Sequence, residues 1–195
     1  VNHVLTCDLH NSAIQTYFDV LCDKITGAYL LEEYFKKKDL KDIVVIATDA
    51  GSSKKAYKYS KYFNCPMALI DKQRATNNDT VVATNIIGDV KDKTAIIFDD
   101  EISTAGTLVE AANIVNKYGA KQIFAGATHG IFAGSAIDKI KNSVIDEVVV
   151  TNTVPITEDK KIDKIKVVSI APLFASAIKR LNEEKPLGDL FIYEK

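Results

Sequence analysis

No stretch of this chain is long and apolar enough to cross a bilayer. The longest apolar runs, residues 43–47 and 94–98 among them, fall far short of the roughly 20 residues that a spanning helix needs. No positively charged segment followed by an apolar stretch opens the sequence, so no secretory signal is expected. Tryptophan is absent and cysteine is scarce: Cys7, Cys22 and Cys65 are odd in number, and their spacing matches no zinc or disulfide framework. A reduced, cytoplasmic setting is the simplest reading. An excess of charge is missing too. The 25 basic and 26 acidic side chains leave a net charge of −1 and are interspersed, which argues against the basic footprint of a nucleic-acid-binding surface. An initiator methionine is also lacking. Val1 leads directly into a strand-like run, which reads as the start of a fragment.

What is present is ordinary for a soluble globular protein: 195 residues, 47% hydrophobic and 26% charged. One domain of this size buries about 70% of the surface that its unfolded chain exposes, so a conventional core is available without staples. Short apolar, β-branched runs recur at residues 3–7, 42–48, 66–70, 81–87, 94–98, 122–127, 147–151 and 166–170. Most of them lack a polar alternation, which predicts strands covered on both faces. Helical patterns fall between them, at residues 28–38, 107–118, 132–141 and 172–183. The first of these ends in three lysines, matching the negative end of a helix dipole. The second is followed by Gly119, a natural terminator, and the last has Pro172 in its first turn. Strand–helix alternation of this kind predicts an α/β fold with a mostly parallel sheet flanked by helices on both faces. Ligands of such sheets bind beyond the carboxyl ends of the strands. Four strand ends lead there into polar residues, at 8–10, 49–55, 71–79 and 99–107.

The most informative of these is IIFDDEISTAGT, residues 96–107. An apolar strand runs into two adjacent acids, Asp99 and Asp100, then into Ser103, Thr104, Ala105, Gly106 and Thr107, and a helix begins. Small residues let backbone N–H groups approach a phosphate closely, and the helix N-terminus adds partial positive charge. The hydroxyls of Thr104 and Thr107 can donate to phosphate oxygens, and the two carboxylates can accept from vicinal sugar hydroxyls. A place that accepts both a phosphate and a diol is a ribose-phosphate site. The competing reading makes Thr104 a helix cap and the acids a solvated turn.

The segment FDDEISTAGT resembles the phosphoribosyl diphosphate-binding signature of type I phosphoribosyltransferase folds. Further segments narrow the resemblance: TCDLHNSAIQTYFD (6–19), TDAGSSKKA (48–56), LIDKQR (69–74), THGIFAGSA (128–136), VVTNTVP (149–155) and KVVSIAPLFASAI (166–178). In this order they are similar to segments of the ribose-phosphate diphosphokinases, and they cover nearly the whole chain. The resemblance implies Mg²⁺-dependent transfer of a diphosphoryl group from ATP to the anomeric hydroxyl of ribose 5-phosphate. It implies that Lys72 and Arg74 are the catalytic basic pair of a mobile loop, with the polar residues 75–80 as its continuation. Such a pair would supply the positioning and charge neutralisation on which this chemistry rests. It further implies that His10 is associated with metal and ATP, and that Asp49 holds metal and ribose phosphate. His3 and His129 are given no role. A homo-oligomer is implied as well.

The sequence departs from the family pattern in several places. Ser103 stands where many members have aspartate, Gln73 replaces an arginine, Thr48 replaces proline, and Ser52 and Ser53 replace glycine-rich residues. Residues 1–27 resemble the end of a first α/β domain, residues 28–170 a complete phosphoribosyltransferase-like domain that binds ribose 5-phosphate, and residues 171–195 a helix and tail returning to the core. In the family, much of the nucleotide-recognising part precedes the segment that matches here, so this chain is expected to hold ribose phosphate better than ATP. Two further readings stay open: a phosphoribosyltransferase that consumes the activated sugar, and a non-catalytic regulatory homologue. The segments TCDLH and DKQR weigh against the first, and retention of Lys72, Arg74 and His10 against the second.

Overall fold

The computed structural model describes residues 1–74, 81–188 and 190, and no side chain from 72 to 84. The expected lid at residues 75–80 therefore lies outside the described residues. Nine strands are present among the described residues: β1 His3–Cys7, β2 Leu21–Ile25, β3 Ile43–Ala47, β4 Met67–Arg74, β5 Val81–Ile87, β6 Thr94–Ile102, β7 Gln122–Gly130, β8 Glu147–Thr151 and β9 Ile165–Val168. The α-helices are α1 Ala28–Lys37, α2 Ser53–Tyr62, α3 Gly106–Lys117, α4 Ala136–Lys141 and α5 Ala171–Asn182. A seven-stranded sheet runs in the order β5-β4-β3-β6-β7-β8-β9, and β1 and β2 form a separate two-stranded sheet. Among the pairings of these described strands, only β4–β5 is antiparallel, at one edge. This is the α/β architecture expected from the pattern.

Side chains that alternate along the central strands divide the core in two. Val44 and Ile46 of β3, with Ala95 and Ile97 of β6, face Ala111, Ala112 and Val115 of α3 and Ile140 of α4. Their neighbours Val45, Ala47, Ile96 and Phe98 face Leu31 and Phe35 of α1 and Ala56 and Tyr59 of α2. Successive residues of a strand point to opposite sides, so a strand sandwiched between helices must be apolar at every position. That is why runs such as IVVIA and TAIIF show no polar alternation. On the α1–α2 face, Tyr59 stacks on Phe98 with ring centroids 3.7 Å apart, and Phe35 meets Phe98 edge-on at 5.6 Å. A third cluster joins α5 to the smaller sheet and α1: Leu173 and Ala177 pack with Ile25 and Ile170, and against Leu5, Cys7, Tyr29 and Leu30.

The structure differs from the sequence expectation at several elements, for identifiable reasons. Strand β2 was not expected. It is half exposed, carries Asp23 and Lys24, and pairs only with β1, so its apolar signal is weak. Helix α2 was not expected, because its sequence SKKAYKYSKY buries only Ala56, Tyr59 and Ser60. Helix α4 starts four residues later than expected. Phe132 and Gly134 take positive φ values of 48° and 57°, which an α-helix excludes. Strands β4 and β6 each continue four residues past their apolar runs, to Arg74 and Ile102. Lys72 and Arg74 accordingly sit in a strand paired with β5, Lys72 opposite Thr84 and Arg74 opposite Val81 after a register irregularity, rather than in a loop. Their side chains lie outside the described residues.

Glu32 is a charged group inside this framework, 7% exposed on the buried face of α1. Burial, reinforced by neighbouring Glu33, pushes its carboxyl up to about 7, well above the ordinary value of about 4.3. The folded pKa is raised, so the cost is nil while both states are protonated. Stability then falls as pH climbs from about 4.3 through about 7, where the unfolded chain has lost a proton that the folded chain keeps. Glu32→Gln should leave the urea midpoint unchanged near pH 4 and raise it near pH 8. Equal midpoints for the two proteins at both pH values would contradict this assignment.

Candidate functional site

Strand order locates the site. From β3 the chain moves outward to β4, and from β6 it moves the opposite way to β7, so the gap between β3 and β6 is the topological switch point where open α/β sheets bind ligands. The two strands pair in parallel from Ile43 opposite Thr94 to Ile46 opposite Ile97. Beyond that, β6 continues alongside β7 only, Asp99 opposite Ala127 and Ile102 opposite Gly130. Asp99 and Asp100 thus stand on a strand whose β3 side has opened. A cleft there is lined by His10, Thr48, Asp99, Glu101 and the turn from Ser103 to Leu108.

The turn is built to offer amides. Ala105 precedes α3 in the left-handed region, φ 58° and ψ 9°, and provides no side-chain cap. The first N–H groups of a helix have no partner within it, so the amino end of this twelve-residue helix is open to an anion. Cap formation by Thr104, the competing reading of the motif, is not what the structure shows, since the N-cap position belongs to Ala105. The carbonyls of the turn are bonded elsewhere. Ile102 accepts from the N–H groups of Ile131 and Phe132, each at 3.1 Å, and Ser103 from Ala133 at 2.9 Å. The Lys139 ammonium donates to the Thr104 carbonyl at 3.2 Å, which adds a cation beside the turn. The supporting segment is tightly packed: a Cβ on Gly130 would stand 2.7 Å from the Phe132 ring.

The two acids are not equivalent. One oxygen of Asp100 meets Nδ1 of His10 at 2.8 Å, and the other accepts from the Lys55 ammonium. Lys55 also reaches Asp99 at 3.3 Å, and the same Asp99 oxygen accepts the Asp100 amide at 2.8 Å. Asp100 is mostly covered while the Asp99 side chain is 52% exposed. The structure therefore brings His10, Asp99 and the Ser103–Thr107 turn into one cleft, while Asp100 does not line it and is bonded to His10 and Lys55. Asp49 it places beside the cleft: the carboxylate accepts the Ser52 amide at 2.8 Å and closes the turn into α2. Among the described residues no group of three or more His, Cys, Asp or Glu is arranged to hold a metal.

Three site residues escaped sequence reasoning. Lys55 lies in the first turn of a helix that went unrecognised. Lys139 comes from α4, remote in sequence. Glu101 lines the cleft two residues after Asp99, and period-two alternation along an extended β6 was the signal that could have found it. The remaining histidines are structural. His129 Nε2 faces the carbonyls of Cys7 and Asp8, each at 3.2 Å, so that nitrogen carries a proton, while Nδ1 meets the Thr153 hydroxyl at 2.9 Å. His3 bonds Asp23 at 2.8 Å. Asp8, with φ 42°, accepts the Gly27 amide at 2.7 Å and the Thr128 hydroxyl at 2.6 Å, tying the end of β1 to α1 and β7 just before His10. Burial, with Asp8 beside it, pushes the Cys7 thiol up to about 12, which leaves it protonated and unreactive near neutral pH.

Fold and cleft together define an α/β domain that presents an anion-binding turn and an acid pair at the switch point of a parallel sheet. Residues 80–192 match the model of the phosphoribosyl synthetase-associated domain, and the chain belongs to that family. It is 49% identical over 191 residues to a ribose-phosphate pyrophosphokinase of Caldanaerobacter subterraneus subsp. tengcongensis, an alignment spanning 97% of this chain and 60% of that protein. To the ribose-phosphate pyrophosphokinase of Clostridium acetobutylicum it is 45% identical over 192 residues, with the same shares of each covered. The crystal structure of phosphoribosylpyrophosphate synthetase from Mycobacterium smegmatis superposes with a TM-score of 0.84 at 36% identity, over 94% of this chain and 60% of that one. The chain thus spans about three fifths of the length of these relatives.

The left-handed residue gives a direct test of the turn. Ala105→Val should destabilise by about 1–2 kcal/mol, because a β-branched side chain is strained at that φ. Ala105→Gly should stay within about 1 kcal/mol of the parent, since relief of the left-handed strain offsets the loss of one buried methyl. Denaturant midpoints decide, and a valine variant as stable as the parent would show that the turn is not held in this conformation.

Proposed function

We propose that this chain is the ribose-phosphate-binding part of a ribose-phosphate diphosphokinase, which transfers the diphosphoryl group of ATP to the anomeric hydroxyl of ribose 5-phosphate. The observation that carries the reading is the continuity of β6, turn and α3: Asp99, small-residue turn and open helix end follow one another along a single cleft, and Asp100 is bonded to His10, which also lines it. The 5-phosphate sits on the amides and hydroxyls of Ser103, Thr104, Ala105, Gly106 and Thr107, with Lys139 beside them. Asp99, the more open acid, accepts from the sugar diol. Asp100, held by His10 and Lys55, completes the acceptor pair. The names of the relatives point the same way.

In this reading the anomeric oxygen attacks the β-phosphorus of ATP. The new O–P bond forms, the bond to the α-phosphate bridge breaks, AMP leaves, and the hydroxyl proton is released. Lys72 and Arg74 act where negative charge builds up on the transferred group, as cations do in phosphoryl transfer generally. Mg²⁺ suits the oxygen donors present and takes only one or two carboxylates when substrate phosphates and water complete its shell. The absence of an all-protein cage among the described residues is compatible with that. Asp49 would hold the ion, with His10 close to the nucleotide phosphates, and the ion when bound neutralises phosphate charge. A cytoplasmic homo-oligomer is part of the same proposal; among the described residues no helix is long and apolar enough to cross a membrane.

The natural-length protein, incubated with ATP, Mg²⁺ and ribose 5-phosphate, should release AMP. Absence of AMP combined with diphosphate release from phosphoribosyl diphosphate and a nucleobase would replace this reading with a phosphoribosyltransferase. Lys72→Ala should lower turnover by several powers of ten, each worth about 1.4 kcal/mol of transition-state stabilisation. Its affinity for ribose 5-phosphate should stay within a few fold. Turnover near the parent value would remove Lys72 from the mechanism.

A further inference from the structure

The position of Lys55 needs a reason. It lies in the first turn of α2, a turn that contains no acid, and cations are disfavoured at the positive end of a helix dipole. Its ammonium nevertheless reaches across to β6 and contacts both Asp99 and Asp100. The second oxygen of Asp100 is occupied by His10. Two adjacent carboxylates would otherwise be the most obvious landing place in the cleft for a divalent cation, which prefers oxygen ligands at about 2.0–2.1 Å. Lys55 is on that spot already, and no third carboxylate joins the pair in a metal-binding group among the described residues.

We propose that Lys55 is a resident counter-cation that keeps divalent metal off the Asp99–Asp100 pair. The carboxylates then stay free of metal and act as hydrogen-bond acceptors for sugar hydroxyls, and the metal is left to the phosphates and Asp49. The sugar part of this inference rests on the function proposed above; the exclusion of metal does not. Lys55 is thus a positioning residue. It neutralises repulsion between the acids without supplying a second centre of +2 charge where the sugar must lie.

Mn²⁺ alone, titrated into the chain and followed by electron paramagnetic resonance, tests this without reference to activity. Wild type and Lys55→Arg should show no site that depends on the acid pair, so adding Asp99→Asn to wild type should leave Mn²⁺ binding unchanged. Lys55→Met should gain a site about tenfold tighter or more, as expected when carboxylates lose their partner cation, and Asp99→Asn in that background should abolish it. Two results overturn the proposal: a folded Lys55→Met that binds Mn²⁺ no better than wild type, or a wild-type site lost on Asp99→Asn. The second comparison holds even if Lys55→Met does not fold, which circular dichroism would reveal. Failure of ribose 5-phosphate to bind wild type would overturn the substrate reading while leaving the Mn²⁺ pattern intact.

Discussion

Two carboxylates side by side at the end of a buried strand repel one another, and everything distinctive about this cleft follows from how that repulsion is met. Lys55 arrives from α2, His10 from the segment after β1, and both converge on Asp100. Neither comes from the element that carries the acids. The pair can therefore exist in this form only when the smaller sheet, helix α2 and the central sheet are assembled. The tie that sets His10 in place is Asp8, whose carboxylate bonds the Gly27 amide and the Thr128 hydroxyl, with His129 holding the carbonyls of Cys7 and Asp8 from below. Site and fold are one construction, with polar ties at the strand ends and apolar packing beneath.

The packing explains why the acids lie where they do. Strand β6 is buried through Phe98, then exposes Asp99 and partly exposes Asp100 and Glu101 before Ile102 is buried again; β3 stops pairing with it after Ile46 and leaves one edge open. The apolar run ends where the helical layers stop covering the sheet. Polar side chains cost least there, and ligands find unpaired backbone groups there. Left-handed Ala105 then reverses the chain into α3, so that the amides of the turn follow the carboxylates within a few residues. An open helix end and a pair of carboxylates at fixed separation result from one strand end and one turn.

Much of this was legible in the sequence. The unalternating runs of β3, β6 and β8 announced a sheet covered on both faces, and FDDEISTAGT announced the acid pair and the turn. What stayed hidden was hidden for physical reasons. Helix α2 buries so narrow a stripe that its ten residues carry little helical signal, and with it went Lys55. The extension of β4 opens on Asp71, and that of β6 carries three acids before the buried Ile102, so apolar periodicity could not find their ends, nor Glu101 on the extended strand. The inequality of Asp99 and Asp100 depends on cations from residues 10 and 55, and adjacency in the chain treats the two acids alike. Asp49, matched by motif to a ligand-binding acid, closes a turn onto Ser52, a role that its Asp–Ala–Gly context also allows.

The decisive measurement is a structure of the chain with ribose 5-phosphate bound. The phosphate is expected within hydrogen-bond distance of the backbone amides between Ser103 and Thr107, with a sugar hydroxyl donating to Asp99 and Lys55 still beside the acids. A sugar phosphate bound elsewhere, or a cleft at Asp99–Thr107 that stays empty at saturating ligand, would contradict it.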